Sequence, residues 1–552
     1  MATEVWNAEG LKAVTNGNYI QMADIDMQGE SWTSISDFYG TYDGNGFTIS
    51  NLSGTFVHMI DLYAGKAAQA TLKNITLSGG SGGLVGTIYC YDSGIQISIE
   101  NCDVLNRSAS GGLLVNLLYV GDSASVSISD CTVSGSASGA YVGALIGDIH
   151  NWMLSSIVIE RCLANATVSV AWTGSGGEWG GYGGGFVGQI ATFSGAVTEI
   201  KQCLLEGDIN GNDKHPIGGF AGYVSTYRYT GDPETGHTLF RQCALVGNIN
   251  NVYGFGGGYV GYILAQYLDV IFEDCYFQGY IGQNPEETEY EWHKALGGAV
   301  GLLEAFYSVT VSFTRCYVSA EIYHNPTEPN SPFLDSVTAF IGKVDVDHGG
   351  NATSIYCYYN GSLTIYWGGD YATALNDEMM KKWESFETHY DITTVQTVEH
   401  RNTDYLWNIV QDESYAFHSW TPGTEEPEEP SVEIDQAYPP KLGGTTYIRS
   451  ANHRVEMRFY QGSDVGKVHF KVSMHDYNSR DLIKEIDSFT SPELFEVSML
   501  SSNYSEFPPE GIGAGYYTTR PFMGCYLRAL FPIGPIDGRL FLKASAIRAV
   551  DL

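Results

Sequence analysis

Five carboxylates are the residues best placed for chemistry: Asp130, Asp148, Glu160, Glu273 and Asp274. Two such groups facing one sugar ring can break a glycosidic bond, one giving a proton while the other takes one or attacks. Asp130, Glu160 and Asp274 each stand beside a cysteine, but in distant parts of the chain. Arg161 and Arg315 share that context, so ion pairs between neighbouring segments explain the same charges without catalysis. None of the 13 histidines lies in an HExxH pattern, so the zinc-peptidase arrangement is missing. A P-loop is missing too.

Metal chemistry has one opening. Asp208-Ile209-Asn210-Gly211-Asn212-Asp213 and Asp345-Val346-Asp347 gather oxygen donors at alternating spacing, which suits calcium. The first lacks a glutamate at the twelfth position of an EF-hand loop, and Asx turns explain both runs. No CxxC or Cys/His cluster offers a zinc site. The expectation is no cofactor, with calcium as the alternative.

The other candidate surface is aromatic. Trp172, Trp179, Tyr182, Tyr227, Tyr229, Tyr290, Trp292 and Tyr323 lie in or beside long irregular segments. A ring joins apolar area to a polar tip, which suits a sugar or a protein ligand. The same rings would equally serve as a local mini-core over adjacent segments.

Two features recur together and define the elements that carry these groups. One is a glycine-rich apolar run, such as Gly184-Gly185-Phe186-Val187-Gly188, Gly218-Gly219-Phe220-Ala221-Gly222 and Gly257-Gly258-Tyr259-Val260-Gly261. In Gly111-Gly112-Leu113-Leu114-Val115, Asn116 replaces the last glycine, so that coil should pack or turn differently. The other is a cysteine position: Cys102, Cys131, Cys162, Cys203, Cys243, Cys275, Cys316 and Cys357, at steps of 29, 31, 41, 40, 32, 41 and 41 residues. A large apolar residue stands three before each of the first seven cysteines, from Ile99 to Phe313, and a polar pair such as Glu100-Asn101 or Glu273-Asp274 intervenes. Strict alternation would bury one member of each pair. A bend there keeps both outside, so two short strands meet at a corner. Such a repeat cannot bury its own apolar face, but stacked coils can. The cysteines then form a reduced, buried ladder acting as small hydrophobes, in preference to disulfides. Cys90 and Cys525 fall outside it. The varying steps imply loops bulging at one or more corners.

These motifs resemble the GLUG repeat family over residues 35–360. Trp32-Thr33-Ser34-Ile35, followed by Phe38 to Ile49 with its Asp43-Gly44-Asn45-Gly46 turn, looks like the opening segment of such proteins. The resemblance implies a right-handed-type parallel β-helix and a surface or adhesion role. It implies no single chemistry.

The chain of 552 residues carries a formal net charge of -35 and 43% hydrophobic residues. That balance excludes a nucleic-acid binder, which needs Lys and Arg against phosphate, and an anionic membrane surface. No apolar stretch of about 18 residues spans a bilayer. The first residues lack a secretory signal, which suits a virion component assembled inside a host cell or a chain whose leader has been removed.

The expected fold is all-β: a parallel β-helix solenoid with a C-terminal β-sandwich-like domain. Residues 1–34 form an N-terminal cap with a short helix at Ala8 to Val14, and residues 35–365 form the coils. Residues 366–420 close the open end, with helical spacing at Ala374 to Phe386. Residues 421–432 form an acidic Pro-rich linker. Residues 433–552 form the sandwich, with strands at Val455 to Tyr460, Val468 to Met474, Leu494 to Met499, Cys525 to Phe531 and Leu540 to Ala546.

The expected function is that of a non-enzymatic structural or adhesive fibre protein, on a phage virion or a bacterial surface. Its ligand would be a host-surface glycan or protein, and the C-terminal domain would meet other virion or surface proteins; a homo-oligomer is compatible. The alternatives are a β-helix polysaccharide lyase or glycoside hydrolase, and a particle-docking module without ligand.

Overall fold

The structure is a computed structural model. It describes residues 2–170, 181–211, 215–229, 235–252, 254–283, 294–323, 334–361 and 371–421, and in the remainder the strands within 436–529. The chain divides into two compact units, Met1–Thr421 and Pro422–Leu552.

The first unit is built from long parallel sheets, stacked coil on coil. Each coil gives one strand to sheet A, then one to sheet B, then one to sheet C, before the chain returns to A. One such coil runs Ser125–Ser129 in A, Thr132–Gly139 in B and Ile146–Asn151 in C. In that coil a short strand, Tyr141–Gly143, begins a fourth sheet, D, between B and C. Strand pairings within all four sheets are parallel. Neighbouring coils are therefore about 4.8 Å apart.

The A-to-B corner turns on one residue held in the left-handed region. Asn101 (φ 50), Asp130 (φ 55), Arg161 (φ 52), Gln202 (φ 51), Gln242 (φ 56), Asp274 (φ 53), Arg315 (φ 51) and Tyr356 (φ 57) occupy this place in successive coils. In the first seven coils named, that is the second member of the polar pair; in the last, Tyr356 follows Ile355. For a residue other than glycine the conformation costs about 1–2 kcal/mol. Ladder bonds between corner side chains offset part of it. Asn101 Nδ2 donates to Asn74 Oδ1 at 2.8 Å, and Gln202 Nε2 donates to Gln242 Oε1 at 3.0 Å.

The residue after the corner is the cysteine. The registers Glu100↔Ser129 and Asp103↔Thr132 set Cys102 against Cys131, and the same offset carries the column to Cys357. All eight are free and buried, as is Cys90. Burial pushes the Cys131, Cys203, Cys275 and Cys357 thiols well above their ordinary range. Beside the column, Phe240, Phe272 and Phe313 stack at 5.0 and 4.8 Å.

The glycine run is not one strand. It breaks at the D-to-C corner, with Tyr182–Gly184 in D and Val187–Phe193 in C. Coils nearly touch there: a Cβ on Gly185 would lie 2.0 Å from Gly219 O, and one on Gly219 would lie 2.0 Å from Gly258 O. Only glycine fits such an approach. Asn116 folds its amide over Gly111, which has φ 84.

Residues 1–34 already carry strands of the sheets: Thr3–Val5 and Gly17–Gln21 in A, and Ile25–Asp26 in B. The helix there is Ala8–Lys12, capped by the Asn7 side chain.

The end of the first unit differs from the expected plug. Thr373–Leu375 adds a strand to sheet B, and the helical stretch is short, Asp377–Met380 with a 3-10 turn at Trp383–Ser385. The following segment then lies along the outer face of sheet B. The residue after each cysteine faces outward there. It is polar in the early coils, Asp103 and Thr132, but apolar later: Leu163, Leu204, Ala244, Tyr276, Tyr317 and Tyr358. These later residues pack with Met380, Phe386, Tyr390, Trp407 and Phe417 in a second core distinct from the interior one.

The second unit contains an antiparallel sheet of Gln436–Ala437, Thr445–Arg449, His453–Gln461, Val468–Asp476 and Leu482–Ile486. Phe495–Met499 pairs antiparallel with Cys525–Ala529. The expected strand at Leu540 to Ala546 lies outside the described residues. No helix among the described residues is long and apolar enough to cross a membrane.

Candidate binding face on sheet C

Strand alternation puts every second residue of sheet C on its outer face. Rings on that face and at the C-to-A corner just beyond the strand ends make a continuous file across the coils. Tyr89 and Tyr91 contact Tyr119 at 6.1 and 5.5 Å. Tyr119 stacks on His150 at 5.3 Å and on Trp152 at 6.1 Å. Trp152 stacks on Phe193 at 3.8 Å and on Tyr229 at 6.3 Å. Tyr227 stands edgewise to Phe193, Tyr229 and Tyr267. Tyr267 stacks on Tyr307 at 4.6 Å with an interplanar angle of 3°, and Tyr307 meets His348 at 5.3 Å. Seven inter-strand steps separate Val85–Cys90 from Ile341–Asp347, which at about 4.8 Å each is about 34 Å.

The outer rim of this file is the C-to-A corner, where strain is concentrated. Tyr267 (φ 72) and Tyr307 (φ 62) are left-handed, as are Met153 (φ 45) and Leu154 (φ 60). Bulky side chains rarely adopt that conformation, and asparagine or glycine would turn the corner at lower cost. The same corner exposes Tyr63, Met153, Leu154, Tyr229 and Tyr307, the last at 43%.

A second row of rings runs nearer sheet D. Tyr141, Tyr182, Tyr223 and Tyr262 follow one another at 5.8, 4.6 and 5.0 Å. Tyr262 donates its hydroxyl to Glu304 Oε2 at 2.6 Å. Tyr182 is buried, so this row acts chiefly as packing between coils.

Charges around the file are mostly acidic and mostly engaged. Lys66 is held by Asp37 and Asp61 at 2.6 and 3.3 Å. His150 Nε2 lies 3.0 Å from Asp148 Oδ2, while Asp148 Oδ1 is buried with no hydrogen-bond partner among the described residues. The Arg228 guanidinium sits 5.2 Å from the Tyr267 ring centre. Burial, with Tyr119 and Tyr89 close by, pushes the Tyr91 hydroxyl up to about 12. Burial also raises Tyr119, so these phenols stay protonated at neutral pH.

Of the aromatic residues picked from the sequence, Tyr227 and Tyr229 join the file. Tyr182 belongs to the second row. Tyr323 is exposed at the end of a sheet B strand, in neither row. Trp172, Trp179, Tyr290 and Trp292 lie outside the described residues. The stretches 171–180, 212–214, 284–293 and 324–333 all fall between a B strand and a D strand, while 230–234 falls between C and A. Sequence reading missed Tyr119, Trp152, Phe193, Tyr267 and Tyr307 because they sit in or beside regular strands. The signal available was an aromatic residue shortly after most of the glycine runs.

The five carboxylates named from the sequence are each engaged in an ion pair. Asp130 accepts two bonds from Arg161 at 2.7 and 2.8 Å. Arg161 also binds Glu160 at 2.6 Å, and Arg241 binds Glu273 at 2.6 Å. Asp274 accepts two bonds from Arg315, both 2.7 Å. Four inter-strand steps part Asp148 from Glu304, about 19 Å and too far for paired carboxylates on one bond. Asp208 Oδ1 accepts from the Asn248 backbone and side chain, both at 3.0 Å, and Asn210 Oδ1 accepts from Asn250 Nδ2 at 3.2 Å. Asn212 and Asp213 lie outside the described residues. Asp347 is 3.0 Å from His348. Among the described residues, no group of three or more His, Cys, Asp or Glu side chains is placed to hold a metal ion.

No family model, no curated protein and no solved structure matches this chain.

Proposed function

We propose that this chain is a non-enzymatic structural or adhesive fibre component of a phage virion or bacterial surface, which holds surface glycans or proteins through the aromatic edge of sheet C. In this reading the first unit is a GLUG-type parallel β-helix. The second is a β-sandwich-like module that docks to other proteins of the particle or surface. One observation carries the proposal: the file of rings about 34 Å long, whose rim exposes Tyr229 and Tyr307 and holds Tyr307 in a strained backbone.

The test is an array of glycans and surface proteins probed with the full chain, with a turnover assay on every glycan that binds. Binding without product supports the proposal. Release of product, or no binding to either class, overturns it.

The second reading, a polysaccharide-degrading enzyme, has its own observation. Glu304 and Asp345 are register partners on neighbouring coils, so their Cα atoms are about 4.8 Å apart. Such a pair is close enough for glycoside chemistry. The turnover assay decides this case, and Glu304→Gln would abolish any product formed there.

A further inference from the structure

We infer that the aromatic edge takes a linear, uncharged glycan chain lying parallel to the stack of coils. This rests on the adhesive reading above and narrows its ligand.

The first argument is periodicity. From Tyr119 to Tyr307, rings recur along successive coils, each coil about 4.8 Å from the next. A polymer of identical units meets a similar environment at each step along such a rail, so affinity accumulates with length. A globular protein surface without internal repeats offers no such series of equivalent contacts.

The second argument is ring orientation. Trp152 on Phe193 and Tyr267 on Tyr307 are nearly parallel, at 11° and 3°. Ring faces in these pairs are therefore spent on each other. Solvent meets ring edges and hydroxyl tips instead. A ring edge is the positive side of its quadrupole and a phenol O–H donates, so both favour oxygen acceptors on the ligand. A cationic amino sugar needs an open ring face, and Arg228 already lies over Tyr267.

The third argument is charge. Asp61, Asp148, Glu304 and Asp347 lie on the sheet C strands that carry the file, on a chain with net charge -35. Lys66 and His150 are each turned to a carboxylate. Uronate or sulfate groups would meet repulsion along the edge. Hydroxyl and ether oxygens remain as the acceptors that fit.

The test is calorimetry on the full chain with cello-, manno- and malto-oligosaccharides of increasing length. Chitosan oligomers and oligogalacturonate are the charged controls. High salt screens the long-range attraction of any polycation to the acidic protein. At least one neutral series should bind with affinity that rises with length until the oligomer spans about 34 Å. Tyr229→Ala and Tyr307→Asn should each weaken that binding by about tenfold or more, with circular dichroism confirming an intact fold. The inference is overturned if oligogalacturonate or chitosan binds as tightly as the neutral chains at high salt. Length-independent binding overturns it as well. Absence of binding by every neutral series rejects the glycan while protein ligands on the array still report on the adhesive reading.

Discussion

Tyr307 and Arg107 show how single residues separate packing from function. Tyr307 is left-handed and 43% exposed. Asparagine suits its backbone better, so Tyr307→Asn should leave stability unchanged or raise it by up to about 1 kcal/mol. Urea unfolding measures this. A loss of more than about 1 kcal/mol would instead mark the ring as packing. Arg107 is the opposite case. Its guanidinium is buried and bonds the carbonyls of Gly82 at 2.8 Å, Gly54 at 3.0 Å, Gly79 and Ser81, stitching the B-to-C corners of the first coils. Burial lowers its pKa to about 10. Arg107→Met would orphan those carbonyls and should cost about 3–5 kcal/mol in the same measurement. Neither role was legible locally. Arg107 is a lone cation in a serine-rich strand, and the sequence does not say which carbonyls lie around it.

At the scale of elements, the corner and the segment over the outer face of sheet B, residues 376–421 and here called the strap, behave differently. The corner was legible, because a polar pair inside an apolar pattern forces a bend. The strap is less legible: helical spacing and tryptophans suggest closure of the open end, while the switch from Asp103 and Thr132 to Leu163 and Tyr276 marks an outer face that becomes covered. His418 holds the strap down. It is fully buried against Trp407, Tyr276 and Trp420, and its Nε2 donates to Asp274 O at 2.7 Å. Asp274 is also bonded by Arg315 and by Trp407 Nε1. Burial lowers the His418 pKa from 6.5 to about 3. The unfolded chain takes up this proton below about pH 6.5 while the native one does not, so stability is full above that pH. It should fall by about 1.4 kcal/mol per pH unit on acidification towards about pH 3. Carboxylates with lowered pKa, such as Asp130 and Asp377, act in the same direction but nearer pH 4 and below. His418→Gln, which keeps a donor for Asp274, should flatten the slope between about pH 6.5 and 4.5 in thermal melts. An unchanged slope would place the titrating group elsewhere.

For the first unit as a whole, the thiol column offers a direct readout. Nine described cysteines are free and buried. Native protein should resist alkylation at all nine, and labelling should appear only as denaturant opens the coils. Rapid labelling of any of these nine in the native chain, mapped by peptide, would contradict the buried column. Phe272 lies between Phe240 and Phe313 in the stack beside it, so Phe272→Ala should cost about 3–5 kcal/mol and open neighbouring coils to labelling first.

The sequence by itself determined the repeat, the corner and the cysteine register, because each coil presents the same short-range pattern and stacking is the way such a pattern buries its apolar face. Tertiary structure decided what stands outside that pattern. The rings of the sheet C edge, the carbonyls around Arg107 and the strap over sheet B each join residues a coil or more apart. Their meeting depends on the register between coils whose loop lengths differ, so a local pattern marks the residues without saying what each one meets.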